Sequence, residues 1–293
     1  MRSIRGYRLG LNLQTNRSLS EFSTFGIGGP ILYFLELRSE QEAEEAYRWA
    51  RERALPVLVL GKGSNCLFRD EPFEGLALLN KIDFCQIDGC QVHVGAGSSF
   101  SLLGVQTARR GLSGLEYASG IPASVGGAVY MNAGANGREI CDCLSFVSYL
   151  FETGEKREFT RQDLSFSYRT SPFQSMKGCI LSAKFTLQPN DKARATQLQI
   201  IDYRMKTQPL KDKSAGCIFR NPSKETSAGA LIDRLGLKGF AVQDAQVSLI
   251  HANFIVNRGN AKAADVLTLI QIVRQTVFEQ TGIFLETEIK VLP

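Results

Sequence analysis

Three short segments of this chain carry side chains suited to chemistry. SYRTSPFQ, residues 167–174, places Arg169 between Tyr168 and Thr170 in a run of hydroxyls. A guanidinium held there can grip a carboxylate with two parallel hydrogen bonds and keep it flat. KSAGCIFRNP, residues 213–222, sets Cys217 in a glycine turn with Lys213 and Arg220 close by. A thiol ordinarily titrates near ~8.5, and neighbouring cations lower that value, so Cys217 is a candidate proton donor. FLETEIKVL, residues 284–292, puts Glu286 and Glu288 on one face if it forms a strand. Two carboxylates so close can raise one pKa and leave a group able to hold a proton. Each segment also has a plain structural reading: a surface arginine, a buried inert cysteine, a solvated strand face.

Two glycine segments could hold a ligand against these groups. GIPASVGGAVYMNAGANG runs from Gly120 to Gly137 with five glycines, four alanines and no ionisable acid or base apart from tyrosine. Glycine permits positive φ and close backbone approach, and exposed N–H groups in such a loop can bind diphosphate oxygens. The alternative is a tight turn followed by a helix packed on a sheet. LGKGSN, residues 60–65, follows the strand-like VLVL, and a strand running into a glycine turn is a common ligand position in α/β structure. It is not a Walker loop, because Lys62 lacks the required glycine spacing and Ser64 does not follow it directly.

The elements that must position these segments follow from periodicity and capping. Residues 31–37 and 57–60 read as strands, and Ser39 with Glu42 reads as a capping box for a helix to about Ala54. Short strands are expected at 76–79, 84–87 and 91–95, then a helix from Ser99 to Arg110 ended by Gly111. A hairpin turns near Thr153 and Gly154, and a strand over 179–187 precedes a break at Pro189, Asn190 and Asp191. Beyond it a helix spans Lys192 to Thr207 before Pro209, with a short helix at 227–235 and a strand at 251–256. A long helix over 261–281 places Val266, Ile270, Val273 and Val277 on one face, with Gly282 as its stop. The last segment alternates, so Leu285, Thr287, Ile289 and Val291 should share a face opposite Glu286, Glu288 and Lys290.

Length and composition narrow the function classes. At 293 residues the chain can hold two or three compact domains, and its apolar and charged fractions are those of a globular protein. The balance of 34 Lys and Arg to 29 Asp and Glu is mildly basic without a basic tract, which suits an anionic small molecule as well as nucleic acid and decides little; nucleic acid is not the expected partner. No apolar run nears the ~20 residues of a membrane span. The N-terminus lacks a secretory h-region, so the cytoplasm is the expected location and the seven cysteines read as reduced thiols. Two histidines and no second close cysteine pair argue against a zinc site, and no metal is expected.

Taken in order, TFGIGGP, LGKGSN, GLEYASGIPASVGGAVYMNAGANG, SYRTSPF, KTQPL, AGCIFRNP, AGALIDRLGLKG, AQVSLIHANFIVNRGNA and LETEIKVLP cover nearly the whole chain. They resemble the blocks of the flavin-dependent UDP-N-acetylenolpyruvoylglucosamine reductases of bacterial peptidoglycan synthesis, in that family's order and in its shorter form. The resemblance implies an α+β fold: a FAD-binding fold of the vanillyl-alcohol-oxidase (PCMH) type in two subdomains, followed by a C-terminal α+β substrate domain. On this reading residues 1–23 are an N-terminal segment, 24–189 bind FAD and 190–293 bind substrate.

Noncovalent FAD would be held by Gly61, Lys62, Gly63, Ser64 and Asn65 and by Gly120, Ile121, Pro122, Ser124, Gly126 and Gly127, with NADPH as reductant. The substrate implied is the enolpyruvyl ether of UDP-N-acetylglucosamine, met by Tyr168, Lys206 and Asn221, with Lys211, Lys213 and Arg220 as further diphosphate partners. Arg169 and Glu288 match the family's carboxylate-polarising arginine and glutamate. Cys217 stands where the family usually has the proton-donating serine, and it is the main departure. The protein is expected to act as a monomer. His251 lies in a matching block and reads as a packed structural histidine. The rivals are an oxidase of the same flavin fold, for which only His93 could tether the flavin in the N-terminal half, and a noncatalytic anion-binding or nucleic-acid-binding protein.

Overall fold

The computed structural model describes residues 3–5, 11–223 and 225–293. Packing divides them into two compact units that alternate along the chain. One takes Leu32–Lys62 and Glu74–Tyr203 with the described residues up to Thr15, and the other takes Asn16–Ile31, Gly63–Phe73 and Arg204–Pro293. The division by packing is therefore not the linear one suggested by the break at Pro189.

The first unit contains two sheets. One runs in the order β1 (Ser3–Arg5), β2 (Asn12–Gln14), β4 (Pro30–Leu37), β7 (Phe73–Asn80), β5 (Val57–Leu60). β5 and β7 are parallel, with Val57 opposite Leu76 and Leu60 opposite Leu79. Helix α1 (Glu40–Arg51) buries Ala43, Ala46, Tyr47, Trp49 and Ala50 in the cluster that includes Leu35, Leu37, Leu76 and Leu78 of this sheet. Ser39 caps α1 by accepting from the Glu42 N–H, but the box does not close. The Glu42 carboxylate accepts instead from the Arg38 N–H at 2.6 Å, one residue before the cap.

The second sheet is antiparallel, in the order β14 (Lys156–Thr160), β13 (Leu144–Phe151), β15 (Gly178–Thr186), β9 (Gln91–Gly95), β8 (Cys85–Asp88). The expected hairpin is β13 and β14, with Gly154 in its turn at φ +92°. Helix α2 (Phe100–Arg109) begins at the Ser99 cap, and Gly111 past its end is left-handed at φ +69°. With α3 (Val125–Tyr130) it contributes to a core containing Phe100, Tyr117, Val129, Tyr149 and Phe185. Paired two-residue strands β10 (Leu112–Ser113) with β16 (Gln188–Pro189), and β11 (Gly134–Ala135) with β12 (Arg138–Glu139), tie down the connections.

In the second unit β17 (Lys213–Cys217), β20 (Phe254–Asn257), β19 (Ala245–Val247) and β18 (Ala241–Val242) form an antiparallel sheet. Helices α5 (Ala228–Arg234) and α6 (Ala263–Thr281) supply much of its core. Val266, Ile270, Val273 and Val277 of α6 are all buried, and Gly282 ends the helix at φ +71°. β3 (Arg17–Ser18) pairs the first residues of β4, and β6 (Cys66–Phe68) pairs in parallel with β21 (Lys290–Leu292). The alternation expected over the last segment is correct only in part. Leu285 and Ile289 are buried, but Val291 is exposed and only residues 290–292 form a ladder. Thr287 makes a single bridge to Phe219. The strand expected at 251–256 starts instead at Phe254, because His251 and Asn253 turn the chain before it. Among the described residues no helix is long and apolar enough to cross a membrane.

Candidate functional site

Arg169 occupies a tight turn. The Ser167 N–H donates to the Thr170 carbonyl at 3.2 Å and the Thr170 N–H donates back to the Ser167 carbonyl at 2.9 Å, so Tyr168 and Arg169 form the tip. Arg169 has φ +56°, a left-handed conformation that is uncommon outside glycine, asparagine and aspartate. Such strain persists only where the surroundings impose it. Here the Asn132 side chain donates to the Ser167 carbonyl at 2.9 Å, and Gln174 Nε2 donates to the Arg169 carbonyl at 3.0 Å. Asn132 is fully buried and itself left-handed at φ +44°, so the end of the long glycine segment fixes the arginine turn. The guanidinium carbon lies 5.1 Å from the centre of the Tyr168 ring, and that ring is 44% exposed. Nothing local to Asn132 announces this contact, because its partner Ser167 lies 35 residues along the chain.

The same unit brings Gly61 onto Ser124. A Cβ added to Gly61 would sit 2.4 Å from Ser124 Oγ, so glycine is required for this approach. Ser124 Oγ accepts from the Gly127 N–H at 3.2 Å and so caps α3. The N–H groups from Gly120 to Gly127 are largely committed inside the protein. Gly120 donates to Ser101 Oγ, Ile121 to Ala118, Ala123 to Ile121, Val125 to Ser98 and Gly126 to Ala96. The expectation that exposed N–H groups of this stretch take diphosphate therefore fails for these residues. A Cβ on Gly126 would lie 3.0 Å from that of Ala96, so this glycine is set by packing of α3 on the chain after β9.

In the second unit, residues 63–65 behave differently. Gly63 is left-handed at φ +60° and pressed against the chain, where a Cβ would stand 1.9 Å from the Phe22 carbonyl oxygen. Its carbonyl accepts from the Thr24 N–H at 3.3 Å, which joins TFGIGGP to this loop. Among the described residues, the N–H groups of Gly63 and Ser64 donate to no backbone or side-chain acceptor, while the Asn65 N–H faces the Cys66 sulfur. Two successive free N–H groups at a left-handed glycine suit an anion. The loop thus fits the diphosphate that joins the two halves of a flavin dinucleotide.

Cys217 and Glu288 belong to this same unit. Cys217 ends β17 opposite Phe254, and a register shift between Ser214 and Cys217 is accommodated by Gly216 at φ +75°. A bulge of this kind re-aims the next side chain. A Cβ on Gly216 would be 3.8 Å from the Ser64 carbonyl, so the cysteine turn lies beside the 63–65 loop. The Glu288 N–H donates to the Ile218 carbonyl at 2.7 Å, and Asn65 Nδ2 donates to the Glu288 carbonyl at 3.3 Å. Backbone bonds and the Asn65 side chain together therefore gather Cys217, Glu288 and the loop.

The two glutamates part company. Glu286 is exposed and faces the Arg220 guanidinium at 3.9 Å, whereas Glu288 is half-buried. Burial and the nearby Arg220 pull the Lys290 ammonium below its usual range. Lys206 is exposed on α4 (Ala193–Thr207). The Asn221 side-chain oxygen accepts from the Ala228 N–H at 3.1 Å at the start of α5, which leaves its amide N–H₂ as the part facing outward chemistry. His251 is packed as expected. Its Nδ1 accepts from the Asn253 N–H, its ring meets Phe254 edge-on, and burial lowers its pKa. His93 lies within β9 with Nε2 3.2 Å from Ser182 Oγ, inside a sheet rather than on a loop.

Comparison with known proteins gives one answer along the whole chain. Residues 31–160 match a FAD binding domain, and residues 208–292 match the C-terminal domain of UDP-N-acetylenolpyruvoylglucosamine reductase. The chain is 54% identical over 282 residues to the UDP-N-acetylenolpyruvoylglucosamine reductase of Protochlamydia amoebophila, covering 96% of this chain and 94% of that protein. It is 46% identical over 283 residues to the enzyme of the same name from Chlamydia muridarum, covering 96% and 95%. The crystal structure of the Thermus caldophilus reductase superposes with a TM-score of 0.80 at 38% identity, over 97% of this chain and 99% of the other. The fold is thus α+β, of the PCMH type with an added C-terminal domain, and the chain belongs to the UDP-N-acetylenolpyruvoylglucosamine reductase family.

Proposed function

We propose that the protein reduces the enolpyruvyl ether of UDP-N-acetylglucosamine to UDP-N-acetylmuramate, using noncovalent FAD and NADPH, as a cytoplasmic monomer in peptidoglycan precursor synthesis. The observation that carries this reading is the hydrogen-bonded linkage of Glu288, the chain after Cys217 and the loop whose Gly63 and Ser64 N–H groups have no partner among the described residues. Those N–H groups receive the FAD diphosphate. FAD, once reduced by NADPH, supplies the hydride that the CH₂ end of the enol ether receives.

The substrate then carries negative charge shared between the neighbouring carbon and the carboxylate. Arg169 holds that carboxylate flat with two hydrogen bonds, and its strained turn fixes the direction of the guanidinium in advance. Glu288 shares in polarising the carboxylate. Cys217 gives its proton to the adjacent carbon and completes the product. Tyr168, Lys206 and the Asn221 amide bind the nucleotide sugar, which is the task assigned to residues 190–293 as a whole apart from Tyr168.

The test is an anaerobic absorption titration of the purified protein. NADPH should bleach a yellow chromophore, and the UDP enolpyruvyl sugar should restore it. Cys217→Ala should bleach as the wild type does and lose on the order of 10²-fold or more in the return step. Full turnover in that variant removes Cys217 from the reaction, and bleaching that only oxygen reverses removes the reductase reading.

A further inference from the structure

Asn136 and Gly137 are both left-handed, at φ +55° and +75°, the pair of positive φ angles that a two-residue hairpin turn of the favoured hand demands. They fold β12 back on β11, with Ala135 opposite Arg138 and Gly134 opposite Glu139. The hairpin thus returns Glu139 over the chain just left. A Cβ on Gly134 would lie 3.0 Å from Glu139 Cγ, so the glycine leaves room for that side chain. Glu139 Oε2 then accepts from Asn132 Nδ2 at 2.8 Å.

Asn132 is fully buried, and both its N–H bonds and its oxygen are engaged. Nδ2 donates to Glu139 and to the Ser167 carbonyl, while Oδ1 accepts from the Cys141 N–H at 3.3 Å. A side-chain amide fits its site either way round, and its partners decide which. Turned over, this one would set its oxygen against the Glu139 carboxylate and the Ser167 carbonyl, and its N–H₂ against the Cys141 N–H. Three bonds would become three repulsions. Glu139 is the charged partner, so it holds the choice most strongly.

We infer that Glu139 is a positioning residue for Arg169: its carboxylate sets the Asn132 amide, and the amide holds the Ser167 carbonyl that closes the arginine turn. The inference rests on the proposed role of Arg169 at the substrate carboxylate and deepens it. Gln174 clamps the turn from the other side, where Nε2 donates to the Arg169 and Tyr130 carbonyls at 3.0 Å each. Held at both ends, a residue other than glycine keeps φ +56°. Without Glu139 the Asn132 clamp is free to rotate. Arg169 then relaxes toward ordinary backbone angles, and its guanidinium leaves the direction in which it meets the substrate.

The experiment follows the two half-reactions of the FAD-loaded protein separately, by anaerobic stopped flow. Glu139→Ala should slow the return of colour on adding the UDP enolpyruvyl sugar about tenfold or more, and leave bleaching by NADPH unchanged. Glu139→Gln keeps an acceptor oxygen at the same reach and should recover most of the rate. Glu139→Asp keeps the charge but is one methylene shorter, so it should fall below the glutamine variant. The double variant Glu139→Ala, Arg169→Ala should be no slower than Arg169→Ala alone, because the effect runs through the guanidinium; a merely structural carboxylate would add its own loss.

Tryptic cleavage after Arg169 reports the turn without any substrate, since its tip is exposed at Tyr168. It should be faster in Glu139→Ala than in wild type. A wild-type return rate in the folded alanine variant, or a loss that adds to that of Arg169→Ala, overturns the inference. If the alanine variant does not fold, an aspartate variant as fast as the glutamine one overturns it instead. If the wild type never regains colour with the sugar, the functional reading fails by itself, and unchanged cleavage after Arg169 is then what overturns the role of Glu139.

Discussion

The two glycine segments look alike in sequence and differ in their hydrogen bonds. From Gly120 to Gly127 nearly every N–H donates to a protein acceptor, and the small residues exist so that α3 and its turn can lie against Ala96 and α2. At Gly63 and Ser64 two N–H groups in succession donate to nothing described, at a left-handed glycine whose Cβ would stand 1.9 Å from the Phe22 carbonyl oxygen. Glycine content alone does not separate a packed corner from an anion cradle; the fate of each N–H does. The longer segment instead acts near its far end, where Asn132 holds the Arg169 turn.

The most damaging way to probe the contrast is Gly63→Ala. The added Cβ would overlap the Phe22 carbonyl oxygen at 1.9 Å, and the residue must stay at φ +60°. Both conflicts push the loop open and misdirect its donors, so the purified variant should have lost most of its flavin, read as the ratio of visible to ultraviolet absorbance. Flavin content equal to wild type would end the claim that these N–H groups hold the diphosphate.

Gly126→Ala should do the reverse. The atoms nearest its Cβ are the Ala96 methyl and backbone, so about 1–3 kcal/mol of overpacking appears as a lower melting temperature while flavin content stays near wild type. If flavin is lost with unchanged stability, the two segments have been assigned the wrong way round.

The part of this arrangement legible in the sequence is the part set by local rules. Ser39, Ser99, Gly111 and Gly282 end their helices as read, and α6 buries the face its spacing announced. Where partners are distant, local rules gave out. The last segment alternates like one strand, yet its ladder is confined to 290–292 because Asn65 and Ile218, far along the chain, take the hydrogen bonds around Glu288 and Lys290. β6 and β17 to β19 are too short to show a period of their own. Arg169, Cys217 and Glu288 were weak signals singly and became specific only through the order of the surrounding blocks.

The mildest probe is Ser124→Ala, which sits where Gly61 approaches α3. The hydroxyl caps the helix through the Gly127 N–H at 3.2 Å and is the atom that a Cβ on Gly61 would strike. Its removal leaves one N–H of a short helix without a partner, worth about 1 kcal/mol. It also opens a little space beside Gly61. Stability should therefore fall slightly in the single variant, and the double variant Gly61→Ala, Ser124→Ala should be less harmed than the sum of the two single changes. That coupling, measured by a double-mutant cycle in denaturant, follows from their contact. Simple additivity would mean that the glycine at 61 answers to something other than the hydroxyl of Ser124, and the first segment would then have to be reconsidered as ligand surface rather than packing.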